Sequence, residues 1–376
     1  MQRDTIVYFG IIQHEYNNAM CRHSIGIKKL IEKLGYRAII IGVSKNVSKG
    51  TFRTIKENTF AVREPNNIWE KIKECISSED IERVLKHIGT QRIESIIMAD
   101  FRYLPMKRID KLCERNSIKF VVDIMDYFVF DSGIVSRLKK IDCDLRMKYF
   151  YPRVPRRIYI CSSYNELIGS GIHTAVIPGV TWDKHLHRPE GKNKIVLTFL
   201  GRPGIRCEKE RIDWVIRAIN ELNVKERFIV LLGGFDKSEF VENNPGLRQY
   251  ISDNIHFLGR ISAEECLKVL DESDFSLVIR PNNKLSKYGL STKIGESFSR
   301  SIPVLTTDTS DNKKYVIDGK SGYVCDCSYD AVKEVILKIA NAKHADIVTM
   351  KKYIYDNNPL DYYNYIDEFK KAVLTN

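Results

Sequence analysis

The chain reads as an α/β protein of two Rossmann-like domains. Short apolar runs alternate with amphipathic stretches along its 376 residues, as in β-α-β units with parallel sheets. They fall into two series separated by a polar segment rich in Pro and Gly, residues 178–191. The length itself suits two domains. At 43% hydrophobic and 29% charged residues, the composition excludes a disordered chain, a collagen-like fibre and a disulfide mini-protein.

Strand-like runs of the first series lie at 6–12, 38–43, 95–98, 120–124 and 158–161. Residues 25–35 carry apolar side chains at helical spacing and end at Gly35. The second series runs through 195–200, 228–232, 255–258, 275–279 and 303–306. Domains are therefore expected at 1–182 and 190–358, facing each other across a ligand cleft at the carboxyl ends of the strands. The amphipathic stretch 359–376 is expected to cross back to the first domain.

No apolar run approaches the ~18 residues that span a bilayer. The apolar stretch near the N-terminus reads as a first core strand, because no small-residue cleavage site follows it. Nine cysteines without paired spacing suit a reducing compartment, so a cytoplasmic protein is expected. Residues 1–185 hold 31 Lys and Arg against 21 Asp and Glu, whereas the remainder holds 29 against 27. A basic first half favours an anionic partner and equally suits a solvated lysine-rich surface.

The informative chemistry is in the second half. The run 195–200 leads into Gly201, Arg202, Pro203 and Gly204, then Lys209 and a helical stretch from Ile212. A strand, a glycine turn and a helix leave free amides facing the turn, and Arg202 and Lys209 supply charge for a pyrophosphate. Many β-α turns carry Gly and Arg for structural reasons alone. After 275–279 a polar loop reaches Tyr288, Gly289 and Leu290, where Ser291 or Thr292 caps a helix holding Lys293 and Glu296. There the amides and Lys293 suit a phosphate, and Glu296 suits the paired hydroxyls of a ribose. The competing reading is a helix-surface pair contributing a few tenths of a kcal/mol.

These residues carry a resemblance. Residues 290–304 resemble the donor-binding motif of GT-B glycosyltransferases, especially the retaining enzymes of glycosyltransferase family 4. The resemblance implies that Glu296 holds the ribose of a nucleotide-sugar. It also implies a pyrophosphate site at Gly201, Arg202 and Lys209, and a base-side strand and turn ending at Arg260 and Ile261. Residues 175–183 resemble the interdomain segment. One position departs: where the family often has a glutamate contacting the donor sugar, eight residues before Glu296, this chain has Tyr288.

In the first half, His14, Asn17 and Asn18 follow strand one; the resemblance implies that this loop holds donor phosphate and acceptor, and simple N-capping is the alternative. The run 120–124 ends near Asp123 and Asp126. Asp126 lies further past the strand end and is preferred for orienting the acceptor hydroxyl, with Asp123 holding the loop; Asp100 is a third candidate. Cys325 and Cys327 lack companions at metal-ligand spacing, and no zinc site is expected. Basic clusters at Arg102, Lys107, Arg108 and Lys111, at Arg137, Lys139 and Lys140, and at Arg153, Arg156 and Arg157 suit acidic lipid or plain solvent.

The expectation is thus a GT-B glycosyltransferase with a nucleoside-diphosphate sugar as donor and a glycan or lipid-linked glycan as acceptor, working in cell-surface polysaccharide synthesis. Asp126, Arg202 and Lys209 are its candidate catalytic residues. No cofactor and no metal are expected, because no Asp-x-Asp motif stands where one is demanded. Retention of configuration follows from the resemblance alone. The rival readings are a nucleotide-sugar epimerase of the same fold and a basic nucleic-acid-binding protein. A dinucleotide oxidoreductase is disfavoured, since no G-x-G-x-x-G follows either first strand.

Overall fold

A computed structural model of the chain describes residues 3–13, 19–127, 133–186 and 194–375. The chain divides into two compact units, Met1–Val180 with Asp361–Asn376, and Thr181–Leu360.

The first unit holds an eight-stranded sheet. Its strands are β1 (Thr5–Gln13), β2 (Arg37–Ser44), β3 (Phe52–Lys56), β4 (Thr59–Arg63), β5 (Ile93–Ala99), β6 (Lys119–Ile124), β7 (Arg156–Tyr159) and β8 (His173–Val176). They lie in the order β3-β4-β2-β1-β5-β6-β7-β8. All pairs are parallel except the β3–β4 hairpin. Ile6, Val7, Tyr8 and Phe9 of β1 are all fully buried. Such a continuous run, with no in–out alternation, marks a parallel strand covered on both faces. β3 is exposed along most of its length, which is why hydrophobic patterning gives no sign of it.

The C-terminal helix Ile366–Val373 belongs to this unit and buries Phe369, Ala372 and Val373. Arg156 ties its end down by donating to the Ala372 carbonyl at 3.2 Å, and the Ser95 hydroxyl donates to that of Val373.

The second unit holds a wholly parallel six-stranded sheet of β9 (Ile195–Leu200), β10 (Phe228–Gly233), β11 (Ile255–Gly259), β12 (Phe275–Val278), β13 (Val304–Thr307) and β14 (Gly322–Cys325). The order is β11-β10-β9-β12-β13-β14, a doubly wound sheet whose direction of growth reverses between β9 and β12. In such sheets ligands sit outside the carboxyl ends of the strands at that reversal. Leu197 of β9 pairs with Val230 on one side and Phe275 on the other, and all three are fully buried. The ends of this unit are joined to each other. Thr181 donates its amide to the Leu360 carbonyl at 2.7 Å, and Asn358 donates to the Thr181 hydroxyl at 2.7 Å.

Candidate functional site

At the reversal in the second unit, β9 is followed directly by Gly201, with φ +140°. A Cβ there would lie 2.9 Å from Cε of Lys293. The missing side chain is therefore what lets the lysine stem reach across the end of the strand. Gly234, at the end of β10 with φ +110°, is tighter still, since its Cβ would meet the Gly201 carbonyl oxygen at 2.5 Å.

Lys293 is the second residue of the helix Thr292–Ser299, and its Nζ lies 2.8 Å from Oε1 of Glu210. Glu210 is buried, with its side chain only 1% exposed, and its Oε2 has no hydrogen-bond partner among the described residues. The lysine tip also stands 5.2 Å from the centre of the Phe199 ring. A single ammonium is thus shared between an acid and the strand end, with one edge facing out.

The turn after β9 differs from a simple strand–turn–helix corner. A loop with a short 3-10 turn at Ile205–Cys207 comes first, and the helix Ile212–Glu221 starts only after it. The loop closes on Pro203, whose carbonyl accepts from the amides of Lys209 at 2.9 Å and Glu210 at 3.1 Å. Arg211 then donates its amide to the Ile279 carbonyl beyond β12, at 2.6 Å. This folding carries Glu210 inward, while Arg202 and Lys209 stay exposed.

Arg280, just past β12, is buried and donates from Nη1 to the Gly289 carbonyl at 3.1 Å. Its amide donates to the Thr307 hydroxyl at 2.9 Å. Arg280 therefore pins the loop that holds the short helix Lys284–Lys287, itself capped by Asn283 accepting from the Ser286 amide at 2.9 Å. Ser291 occupies the cap position of the next helix without a side-chain capping bond. Tyr288, Gly289, Leu290, Ser291 and Glu296 are half-buried along this edge. Arg260 is exposed and Ile261 half-buried at the end of β11. Ile261 packs beside Gly233, its Cδ1 3.3 Å from where a Cβ would sit.

In the first unit the carboxylates divide differently from expectation. Asp123 lies within β6 and is fully buried. Its Oδ2 accepts from the Tyr8 hydroxyl at 3.0 Å and lies 2.8 Å from Nε2 of His23. The residue that holds the loop is Asp100, whose Oδ2 accepts from the amides of Met125 at 2.9 Å and Asp126 at 3.0 Å. The reason is geometric: β6 runs on through Ile124, so Asp123 is a strand residue, whereas Asp100 follows the end of β5 at φ +36°. Burial pushes the Asp100 carboxyl up to about 7, against the pull of Arg146 and with a further push from Asp126. Asp126 itself is exposed. His14, Asn17 and Asn18 lie outside the described residues.

Sequence reasoning brings Gly201, Lys293 and Tyr288–Glu296 to one end of one sheet. It overlooks Glu210, one charge in the run Glu208-Lys209-Glu210-Arg211, where nothing but burial singles it out. It also overlooks Arg280, whose signal is a lone arginine directly after an apolar strand.

Residues 194–342 match the family model described as glycosyl transferases group 1. No curated protein matches the chain by sequence. Among solved structures, the sucrose-phosphate synthase of Thermosynechococcus elongatus is similar at 14% identity and a TM-score of 0.65, over 96% of each chain. The lipopolysaccharide outer core galactosyltransferase WaaB, in its apo form, is similar at 15% identity and 0.61, over 98% of this chain and 99% of that one. An E. coli trehalose-6-phosphate structure bound with UDP-2-fluoro glucose is similar at 10% and 0.64, over 98% and 99%. At such identities the likeness establishes the fold, which is GT-B.

Proposed function

We propose the following reaction for this GT-B chain, whose residues 194–342 match the glycosyl transferases group 1 model. The donor is a nucleoside-diphosphate sugar and the acceptor a hydroxyl of a glycan or lipid-linked glycan, in cell-surface polysaccharide synthesis at the cytoplasmic side of a membrane. The observation that carries this reading is the corner at the ends of β9 and β12, where Lys293 crosses a strand end kept bare by Gly201 beside the exposed Arg202.

In this reading the diphosphate lies against Arg202, Lys209, Lys293 and the amides near Gly289 and Ser291. Glu296 takes the ribose, Arg260 and Ile261 border the base, and Tyr288 and Leu290 line the sugar side. The bond between the anomeric carbon and the phosphate oxygen breaks, its electron pair leaving on the diphosphate. Stabilising that developing charge is the largest catalytic contribution. The acceptor hydroxyl, oriented by Asp126, forms the new glycosidic bond and gives up its proton to the departing diphosphate oxygen, with His14, Asn17 and Asn18 on the acceptor side. Transfer proceeds without a metal and with retention; the latter rests on the family resemblance.

The test is a metal-free titration of the protein against UDP, GDP, ADP and CMP, repeated with Glu296→Ala. Selective binding of one diphosphate, with donor KM raised and activity lowered more than about tenfold in the variant, is the expected outcome. Near-normal kinetics in Glu296→Ala would remove that residue from the site. Binding of nucleic acid with no nucleotide bound overturns the donor reading. Release of an isomerised sugar nucleotide without acceptor would make the enzyme an epimerase.

A further inference from the structure

The helix Ile68–Ile76 in the first unit is turned inside out. It is strongly amphipathic, yet none of its residues is buried. Its apolar residues face solvent: Trp69 is 77% exposed, Ile68 51%, Ile76 48% and Ile72 45%. Ile68, Ile72 and Ile76 recur every fourth residue, so with Trp69 they form one continuous stripe. The carboxylates lie on the opposite side. Glu70 pairs with Arg63 at 3.0 Å, and Glu74 with Arg102 at 3.2 Å. A surface helix of a soluble domain ordinarily does the reverse, burying the stripe and exposing the acids. Below the helix lies a cavity of about 70 Å³ bordered by Phe9, Val62 and Phe101.

Charge decides what covers the stripe. On the helix, Lys71 and Lys73 fall on either flank of the apolar face, and both are exposed. The helix Ile134–Leu145 adds Leu138, 60% exposed, and Ile141, 56% exposed, among the exposed Arg137, Lys139 and Lys140. Both helices are tied to the start of the helix Tyr103–Arg115: Arg102 pairs with Glu74 at 3.2 Å, and the Tyr103 amide donates to Asp142 of the helix Ile134–Leu145 at 2.9 Å. Apolar side chains including a tryptophan, flanked by lysines that reach past them, match an interfacial helix lying in the plane of a bilayer. Lys73 and Lys140 already pair with Glu79 at 3.0 Å and Asp144 at 2.7 Å; an anionic leaflet complements Lys71, Arg137 and Lys139, which a purely apolar protein partner would not.

We propose that the stripe of Ile68, Trp69, Ile72 and Ile76, with Leu138 and Ile141, docks this chain on the surface of an anionic membrane. The inference specifies the membrane contact in the proposed function, and it rests on that reading only for what the membrane carries. Docking is measured without nucleotide, and donor binding without vesicles, so either can fail while the other stands.

The test is co-sedimentation of the full chain with vesicles of phosphatidylglycerol and phosphatidylcholine in equal parts, and with phosphatidylcholine alone. Binding to the anionic vesicles, weakened by salt and about tenfold weaker in Trp69→Ser/Ile72→Ser, supports the proposal. Trp69→Phe should restore most of it, since the ring is what inserts. Every substituted side chain is exposed, so melting temperatures should match the wild type. Equal binding by wild type and double variant overturns the assignment, as does a wild type that binds neither vesicle. A vesicle-free dimer seen by light scattering and lost in the double variant overturns it too, because the stripe would then be covered by a second copy.

Discussion

Removing the charge of Lys293 should cost the second unit much more than removing that of Glu210. The two groups form one ion pair, 2.8 Å apart, with side-chain exposures of 18% and 1%. In a medium of effective dielectric about 20, that separation is worth roughly 6 kcal/mol before desolvation is subtracted. Lys293→Met keeps the stem beside Phe199 but strands a buried carboxylate whose other oxygen already lacks a hydrogen-bond partner among the described residues. Breaking a buried pair in this way costs about 3–5 kcal/mol. Glu210→Gln leaves a neutral amide and an ammonium that can turn to water, a loss of about 1 kcal/mol. For a unit of this size each kcal/mol shifts the midpoint by roughly 2–4 °C. Thermal unfolding followed by circular dichroism should therefore fall by about 6–20 °C for Lys293→Met and by about 4 °C or less for Glu210→Gln. The double variant should recover most of the difference, because no charge is left buried. Equal losses in the two single variants would refute the argument, as would a Lys293→Met protein that melts like the wild type.

Two further outcomes follow from the same structure. Asp100 is a carboxyl raised to about 7 by burial, so the folded state holds its proton over a range in which the unfolded chain has lost it. Stability should then fall as pH rises from about 4 to about 7, and in Asp100→Asn urea unfolding should show that part of the slope gone. Gly234→Ala places a methyl 2.5 Å from the Gly201 carbonyl oxygen at a φ of +110°. It should lower stability by at least about 2–3 kcal/mol and soluble yield with it, because backbone cannot swing away as a lysine tip can.

The alternation of apolar and amphipathic runs revealed the parallel strands because β1, β2, β9 and β12 are buried on both faces, which leaves a continuous apolar signal in the sequence. It was silent about β3, exposed along most of its length, and about the short strands β4, β8 and β14, of which β4 is buried over Thr59–Val62. Local signals behaved in the same way at the sites. Gly201 announced itself by chemistry, since only glycine leaves the space that Lys293 fills. Glu210 did not, because Glu208 and Glu210 stand on either side of Lys209 and the fold of one loop, closed on Pro203, decides which of them goes inside. Asp123 lost its expected part for a different reason: its place in the strand was legible, but only the fold turns its side chain onto Tyr8 and His23 and brings Asp100, past the end of β5, to the Met125 and Asp126 amides.

The same limit has a constructive side at the helix Ile68–Ile76. A periodic stripe of Ile and Trp, read by spacing alone, belongs in a core. With the stripe outward, the two acids on the opposite face pair with Arg63 and Arg102. Each acid is partly withdrawn from water, with side-chain exposures of 21% for Glu70 and 15% for Glu74. Burial even raises the Glu74 carboxyl against the opposing pull of Arg102. A helix that satisfies its acids inward must present its apolar residues outward, since the two sets occupy opposite faces. Docking at a bilayer would offset the cost of that exposure, and a solvated surface leaves it unrelieved.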